Sequence, residues 1–383
     1  MDRFTRLRLE NWKNFPEVDV QLAERVFLLG PNASGKSNFL DVFRFLSDIA
    51  AERGGGLQYA ITLKRGGLRA IRSLSARRRS DVAVEAEMVI GEKKWIYMLE
   101  ISHDKSVPKR PVVKREIVKC EGETLCERPD EFDKRDPERL RQTHLEQIVM
   151  NEKFRDVVNF FRSIRYFHVV PQMIRHPERV MVSDQDPFGS DFITRIDKLN
   201  KRTQDAWIKR VSSALKKVVP HYDEMKIVSK GESEDGIPHL IMRHKHWRPK
   251  AGWQDERQLS DGTLRLLGIF WALLLEGNGP CLLEEPELSL HPEVVRILPS
   301  LIGELQVKDK TSRQVIMSTY SLDMLRDEGV KPDEVLVLRT EREGTKILPM
   351  GLEEYRTKIN NGVALADLVQ SLMSINLDYL SVD

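Results

Sequence analysis

Residues Gly30 to Ser37 read G-P-N-A-S-G-K-S and follow the apolar run Val26-Phe27-Leu28-Leu29 directly. This is the phosphate-loop pattern G-x-x-x-x-G-K-[ST], placed after a buried strand and before a helix-forming stretch, Asn38 to Ser47. The pattern therefore fixes a strand, an anion-binding turn and a helix at once. Gly30 and Gly35 let successive backbone N–H groups turn inward around a phosphate chain, with Asn32, Ser34 and Asn38 in the same turn. Lys36 places a point charge on the outer phosphates, and the Ser37 hydroxyl suits a magnesium ion. The expected ligands are a phosphate chain and Mg2+.

A chain of 383 residues holds about two domains, or one domain with a large insertion. The formal net charge of +2 gives no whole-chain electrostatic argument for a partner, so charge matters only where it clusters. Three cysteines, Cys120, Cys126 and Cys281, argue for a reducing compartment and against a disulfide framework. Cys120 and Cys126 have no second pair with which to hold a metal. The first ten residues alternate charged and apolar side chains, without the apolar core of a signal peptide. The longest apolar stretch, Leu264 to Leu275, falls short of the ~18 residues that a membrane span needs. These features lead us to expect a soluble, cytoplasmic protein with no membrane segment.

Alternation predicts strands at residues 4–9 and 18–22, a hairpin leading into the phosphate loop, and three more at Val82 to Ile90, Trp95 to Ser102 and Val112 to Lys119 that form an antiparallel sheet. Between them, Ile61 to Ser80 carries Lys64, Arg65, Arg69, Arg72, Arg77, Arg78 and Arg79 without an acid. That run is either a solvated face or a phosphate-contacting surface. From Pro137 on, Leu140, His144 and Ile148, then Phe154, Val157, Val158 and Phe161, follow helical spacing, with the apolar stripe read as core packing. Ile164 to Val170 is a β-rich run that returns the chain to the central sheet, and Phe192 to Val219 holds amphipathic helical segments. Residues 243–250 mix cations with aromatics, with Trp253 beyond, as do nucleic-acid surfaces and ordinary strands alike. His239, His244 and His246 lack the companions of a metal site and are read as structural.

Chemistry gathers again after Gln258. Leu259-Ser260-Asp261-Gly262-Thr263 opens an apolar helix, so Ser260 and the N–H groups beside Gly262 lie at a helix amino terminus that favours an anion. Cys281-Leu282-Leu283 then reads as a buried strand that delivers Glu284 and Glu285 at its carboxyl end, where a second magnesium-binding element belongs. A helix at Glu293 to Gln306 leads to a further strand, Gln314 to Ser318, ending at Thr319-Tyr320-Ser321.

Taken jointly, L-E-N-W-K-N-F, G-P-N-A-S-G-K-S, L-S-D-G-T, L-L-E-E-P-E-L-S-L-H-P and M-S-T-Y-S resemble an ABC-type ATPase of the RecF, SMC and OLD-like branch, over residues 1–50 and 255–340. The resemblance implies an α/β fold: a P-loop head with a mixed sheet and an antiparallel β subdomain, carrying an inserted α/β-helical lobe. The head's two halves would be residues 1–80 and 256–383, with residues 81–255 between them. By the same resemblance Glu285 polarises the attacking water, Glu284 joins Ser37 in the magnesium shell, and Lys36 acts on the phosphates. Ser260 and Gly262 would cap the nucleotide of a second copy, so that ATP holds a homodimer or higher oligomer together. Two positions depart from the family. Glu284 stands for the usual aspartate, and Tyr320 for the switch histidine, a change that costs about two powers of ten in rate if the lost group stabilises the transition state. Slow turnover is expected, and Gln58 is the candidate Q-loop glutamine.

The resemblance extends through V-V-P-Q-M-I-R, D-P-F-G and H-W-R-P to the ATPase half of two-gene bacterial defence systems with a Toprim-type nuclease partner. Residues 322–383 contain no D-x-D pair for a nuclease metal site, so a nuclease would be a separate chain. The alternatives are a RecF-like repair ATPase that binds nucleic acid, and a scaffold that ATP closes without hydrolysis. A transporter head does not fit the insertion at 80–255, and an SMC-like arm does not fit its lack of sustained heptads.

Overall fold

The structure, a computed structural model, describes residues 1–75, 81–104, 109–176, 186–245, 252–274, 279–307 and 312–373. Arg77, Arg78 and Arg79, the H-W-R-P stretch with His246, and Leu275 lie outside the described residues. Alternation makes one face of Arg3–Trp12 (β1) and Phe15–Gln21 (β2) dry: Phe4, Leu7, Leu9 and Trp12 are buried on one strand, Phe15, Val18 and Val20 on the other. The two pair antiparallel, with Trp12 opposite Phe15. Arg25–Leu29 (β3) runs into the phosphate loop and Lys36–Ala50 (α1). A π-helical turn and the short Leu68–Ile71 (α2) precede Val82–Ile90 (β4), Lys93–His103 (β5), Pro111–Cys120 (β6) and Glu123–Arg128 (β7). These strands form one antiparallel sheet in the order β2-β1-β4-β5-β6-β7.

The continuous helical stripe expected after Pro137 does not form. After the five-residue α-helix Glu131–Arg135 (α3) come 3-10 turns at Pro137–Arg141 and Glu152–Phe154 with turns between them, and the next α-helix is Arg155–Ser163 (α4). The reason lies in the backbone donors. Thr143 N donates to Glu146 Oε1, while His144 N and Leu145 N donate to Glu116, so carboxylates take the place of helical carbonyls. His144 is buried as expected, but Ile148 is exposed.

Arg165–Phe167 (β8), Pro171–Arg175 (α5), Phe192–Asp197 (α6) and Lys201–Val218 (α7) follow. Tyr222–Val228 (β9), His239–His244 (β10) and Trp253–Asp255 (β11) make a small antiparallel sheet in the order β11-β10-β9. Asp261–Leu274 (α8), Cys281–Glu284 (β12), Pro292–Val307 (α9) and Val315–Thr319 (β13) lead to the hairpin Val335–Glu341 (β14) and Gly344–Pro349 (β15), then Glu353–Asn360 (α10) and Leu365–Met373 (α11). The central sheet runs β15-β14-β3-β13-β12-β8, parallel except at the β14–β15 hairpin.

Its inner strands are apolar throughout because both faces are covered. Val26, Leu28, Leu282, Ile316 and Leu336 enter the core shared with the antiparallel sheet and α1. Phe27, Leu29, Cys281, Leu283, Val315, Met317, Val335 and Val337 enter a second core with α7, α8 and α9. The fold is the mixed α/β arrangement expected, and the parallel register brings the carboxyl ends of β3, β12 and β13 side by side, where an α/β sheet binds ligands.

Candidate nucleotide site

The turn after β3 is held in a left-handed path, with φ 62° at Ala33 and 102° at Gly35. Gly35 is obligatory on two counts, since a Cβ there would also lie 2.1 Å from Asn14 Nδ2. Asn14 braces the loop from behind: its Nδ2 donates to Ser34 O at 3.0 Å and to Thr345 Oγ1 at 2.8 Å, and Asn38 Nδ2 donates to Asn14 Oδ1 at 2.7 Å. Helix α1 begins with no side-chain cap and no acid in its first turn. Its free N–H groups and the positive end of its dipole are thus left to an anion. Ser34 is fully buried, yet its Oγ has no hydrogen-bond partner. Asn32 is exposed at the turn's tip.

Lys36, 6% exposed, donates from Nζ to Gly30 O at 2.9 Å and Pro31 O at 3.1 Å. Burial lowers its affinity for a proton, while Glu285, Glu287 and Glu284 oppose the shift. Ser37 Oγ donates to Glu284 Oε1, and Tyr166 Oη donates to Glu284 Oε2. A hydroxyl and a carboxylate beside an uncapped helix terminus are the hard oxygen donors that Mg2+ takes together with phosphate.

Glu285 adopts φ 44°, turning the chain sharply at the end of β12, and its N donates to Ser318 O at 3.0 Å. Glu287 is buried. Its Oε1 accepts Thr319 Oγ1 at 2.5 Å and Tyr320 N at 3.1 Å, so it ties the acidic turn to the end of β13, while its Oε2 has no partner. Burial pushes the Glu287 carboxyl up. Tyr320 is 46% exposed, and burial of its remainder, together with Glu287 and Glu285, raises its hydroxyl, which stays a neutral donor.

Ser260 caps α8: its Oγ accepts Thr263 N at 3.2 Å. Gly262 leaves no room for a side chain, because a Cβ would lie 2.9 Å from Ser289 O. Asp261 pairs with Arg175 at 2.6 Å and accepts Gln172 Nε2 at 3.0 Å. Among the described residues no hydrogen bond joins Ser260 or Gly262 to the loop at 30–37. One chain therefore assembles Lys36, Ser37 and Glu284 and links Glu287 with Tyr320, whereas the Ser260 turn bonds within its own helix and α5.

A family model described as "AAA domain, putative AbiEii toxin, Type IV TA system" matches residues 25–323. The chain belongs to this family. No curated protein matches this AAA-domain chain. Among solved structures it is similar to an SMC head bound to the C-winged helix domain of ScpA, with 14% identity, a TM-score of 0.55, and 92% of this chain and 99% of that one covered. It is also similar to the Smc head with an extended coiled coil bound to the C-terminal domain of ScpA, derived from Pyrococcus furiosus, at 13% identity and TM-score 0.53 over 94% and 99% of the two chains. A third, the Smc head with a coiled coil and joint from Pyrococcus yayanosii, gives 11% and 0.51 over 94% and 99%. At such identities the likeness concerns the fold: this AAA-domain chain has the architecture of an SMC head.

Gln58 does not reach the loop of this AAA-domain chain. Its Nε2 donates to Pro111 O at 2.7 Å and Arg141 O at 2.9 Å, beside the antiparallel sheet. Sequence reasoning missed Tyr166 on β8, the strand beside β12; the β-rich run before Pro171 marked the strand but not this contact. In the basic run, Arg65 pairs with Asp41 and Asp48, and Lys64 lies 3.6 Å from Asp48, so these two serve α1. Trp253 has Lys226 4.7 Å and Arg243 5.2 Å from its ring centroid, an internal use of that aromatic. His239 is held between Asp235 at 2.9 Å and Glu256 at 2.7 Å, and no group of three metal-binding side chains occurs among the described residues. No helix among them is long and apolar enough to cross a membrane.

Proposed function

We propose that the chain is an ABC-type ATPase head that binds ATP and Mg2+, closes on a second copy around the nucleotide, and hydrolyses it slowly. The observation that carries this reading is the uncapped start of α1 beside the orphaned Ser34 hydroxyl, with Lys36 and the Ser37–Glu284 pair at its mouth. Backbone N–H groups of residues 34–38 receive the phosphates, and Lys36 exchanges two loop carbonyls for the outer phosphate oxygens. Magnesium, when bound, neutralises charge on the phosphates. Glu285 orients the attacking water and accepts its proton, and Tyr320, held at its backbone by Glu287, donates toward the γ-phosphate. Ser260 and Gly262 of the second copy close the site. The biological setting we infer is a cytoplasmic, nucleic-acid-directed process, anti-phage defence with a separate Toprim-type nuclease.

Glu285→Gln tests the chemistry. ATP turnover should fall about a hundredfold or more while ATP binding and ATP-dependent dimerisation, read by sedimentation, persist. Equal turnover in the two proteins would leave the non-hydrolysing scaffold, the reading that Tyr320 favours.

A further inference from the structure

We infer that Tyr166 is a positioning residue for the metal-side carboxylate Glu284, and that Arg44 holds Tyr166 in place; this rests on the reading that Ser37 and Glu284 carry magnesium. The sheet register explains how two residues so far apart in sequence meet. Tyr166 on β8 stands opposite Leu282 on β12, and Glu284, two residues on, presents its side chain to the same face. The Tyr166 hydroxyl reaches diagonally along that face to Glu284 Oε2, leaving Oε1 for Ser37. Each carboxylate oxygen thus has one donor, and the orientation of the group is fixed.

A glutamate in this position has one more rotatable bond than an aspartate, and that freedom must be removed if its oxygen is to sit on a metal. Tyr166 removes it. The Arg44 guanidinium lies over the ring, 4.1 Å from its centroid, so α1, the helix that carries Ser37, also fixes the tyrosine. A tyrosine that merely satisfied its own hydroxyl would also make this bond, so the test must read the metal.

The experiment titrates Mg2+ against binding of a fluorescent ATP analogue to the full chain. Tyr166→Phe keeps the ring and the Arg44 contact. It should raise the Mg2+ midpoint about tenfold, as loss of an outer-shell partner does, while binding at saturating Mg2+ and the melting temperature stay at wild-type values. In a Glu284→Asp background, whose shorter side chain withdraws from the tyrosine, the same change should leave the midpoint where Glu284→Asp alone puts it. Arg44→Gln should raise the midpoint about twofold. A wild-type midpoint in Tyr166→Phe overturns the inference, as does an equal shift in the aspartate background. If the wild type itself binds the analogue without regard to Mg2+, or not at all, the nucleotide reading fails first and takes this one with it.

Discussion

The ion cluster around Arg128 and the cleft around Lys36 are both buried and both set acids near a cation, but only around Arg128 does every nitrogen of the cation and every oxygen of its carboxylates have a partner, the neighbouring His144 Nε2 being left without one. Arg128 donates to both oxygens of Asp133 at 2.9 and 2.8 Å, to Glu116 at 3.3 Å, and to the carbonyls of Gln142 and Arg139. Glu116 also accepts two backbone N–H groups and the Tyr97 hydroxyl. In the cleft, by contrast, Ser34 Oγ, Glu287 Oε2 and the Nε of Arg265, a residue of α8 whose Nη1 donates to Glu285 O at 3.4 Å, are buried without partners. A satisfied buried network specifies a fold, whereas orphaned groups gathered at one sheet end mark where something else binds.

Removing Arg128 should have the largest effect. Arg128→Met leaves buried Glu116 without a cation and Asp133 with Arg139 alone, at 3.3 Å, and should cost about 3–5 kcal/mol in urea unfolding; a loss under about 1 kcal/mol would break the contrast. Acid should reach the same cluster through His144, whose pKa is lowered from 6.5 to about 4 by burial, with Arg128 adding to the shift. The unfolded chain takes up this proton below about pH 6.5 and the folded chain only near 4, so stability falls as pH drops through that window. The imidazole's share is about 3 kcal/mol, read as the part of the pH dependence that His144→Gln removes. In the cleft, Tyr320→His should raise the ATP turnover number about tenfold if the tyrosine is what slows it. The smallest effect is on folding. Lys36→Met should unfold within about 1 kcal/mol of the wild type, even as calorimetry finds ATP binding lost, because the ammonium is held only by two loop carbonyls. If Lys36→Met cost as much stability as Arg128→Met, the cleft would be one more structural cluster.

The difference between the regions also explains what the sequence made legible. The phosphate loop, the acidic turn after β12 and the inner strands could be read because local pattern determines them: a strand covered on both faces must be apolar throughout. The segment at 129–154 could not, because its donors are satisfied by Glu116 and Glu146 rather than by the next helical turn. Strand β7, E-T-L-C-E-R, has too few apolar positions to announce itself. Tyr166 was invisible for another reason. It lies 118 residues before the carboxylate it touches, and only the pairing of β8 with β12 joins them. Gln58, the candidate Q-loop glutamine, instead bonds the carbonyls of Pro111 and Arg141.

The alternation along β3 reaches beyond packing. Its odd and even residues belong to separate cores, Phe27 and Leu29 to one, Val26 and Leu28 to the other. The central sheet is therefore a party wall between two dwellings. Sequence drift on the side of the antiparallel lobe need not disturb the side against α8 and α9, so a lineage can refurnish one room while the strand ends that hold Lys36, Glu284 and Tyr320 stay where they are.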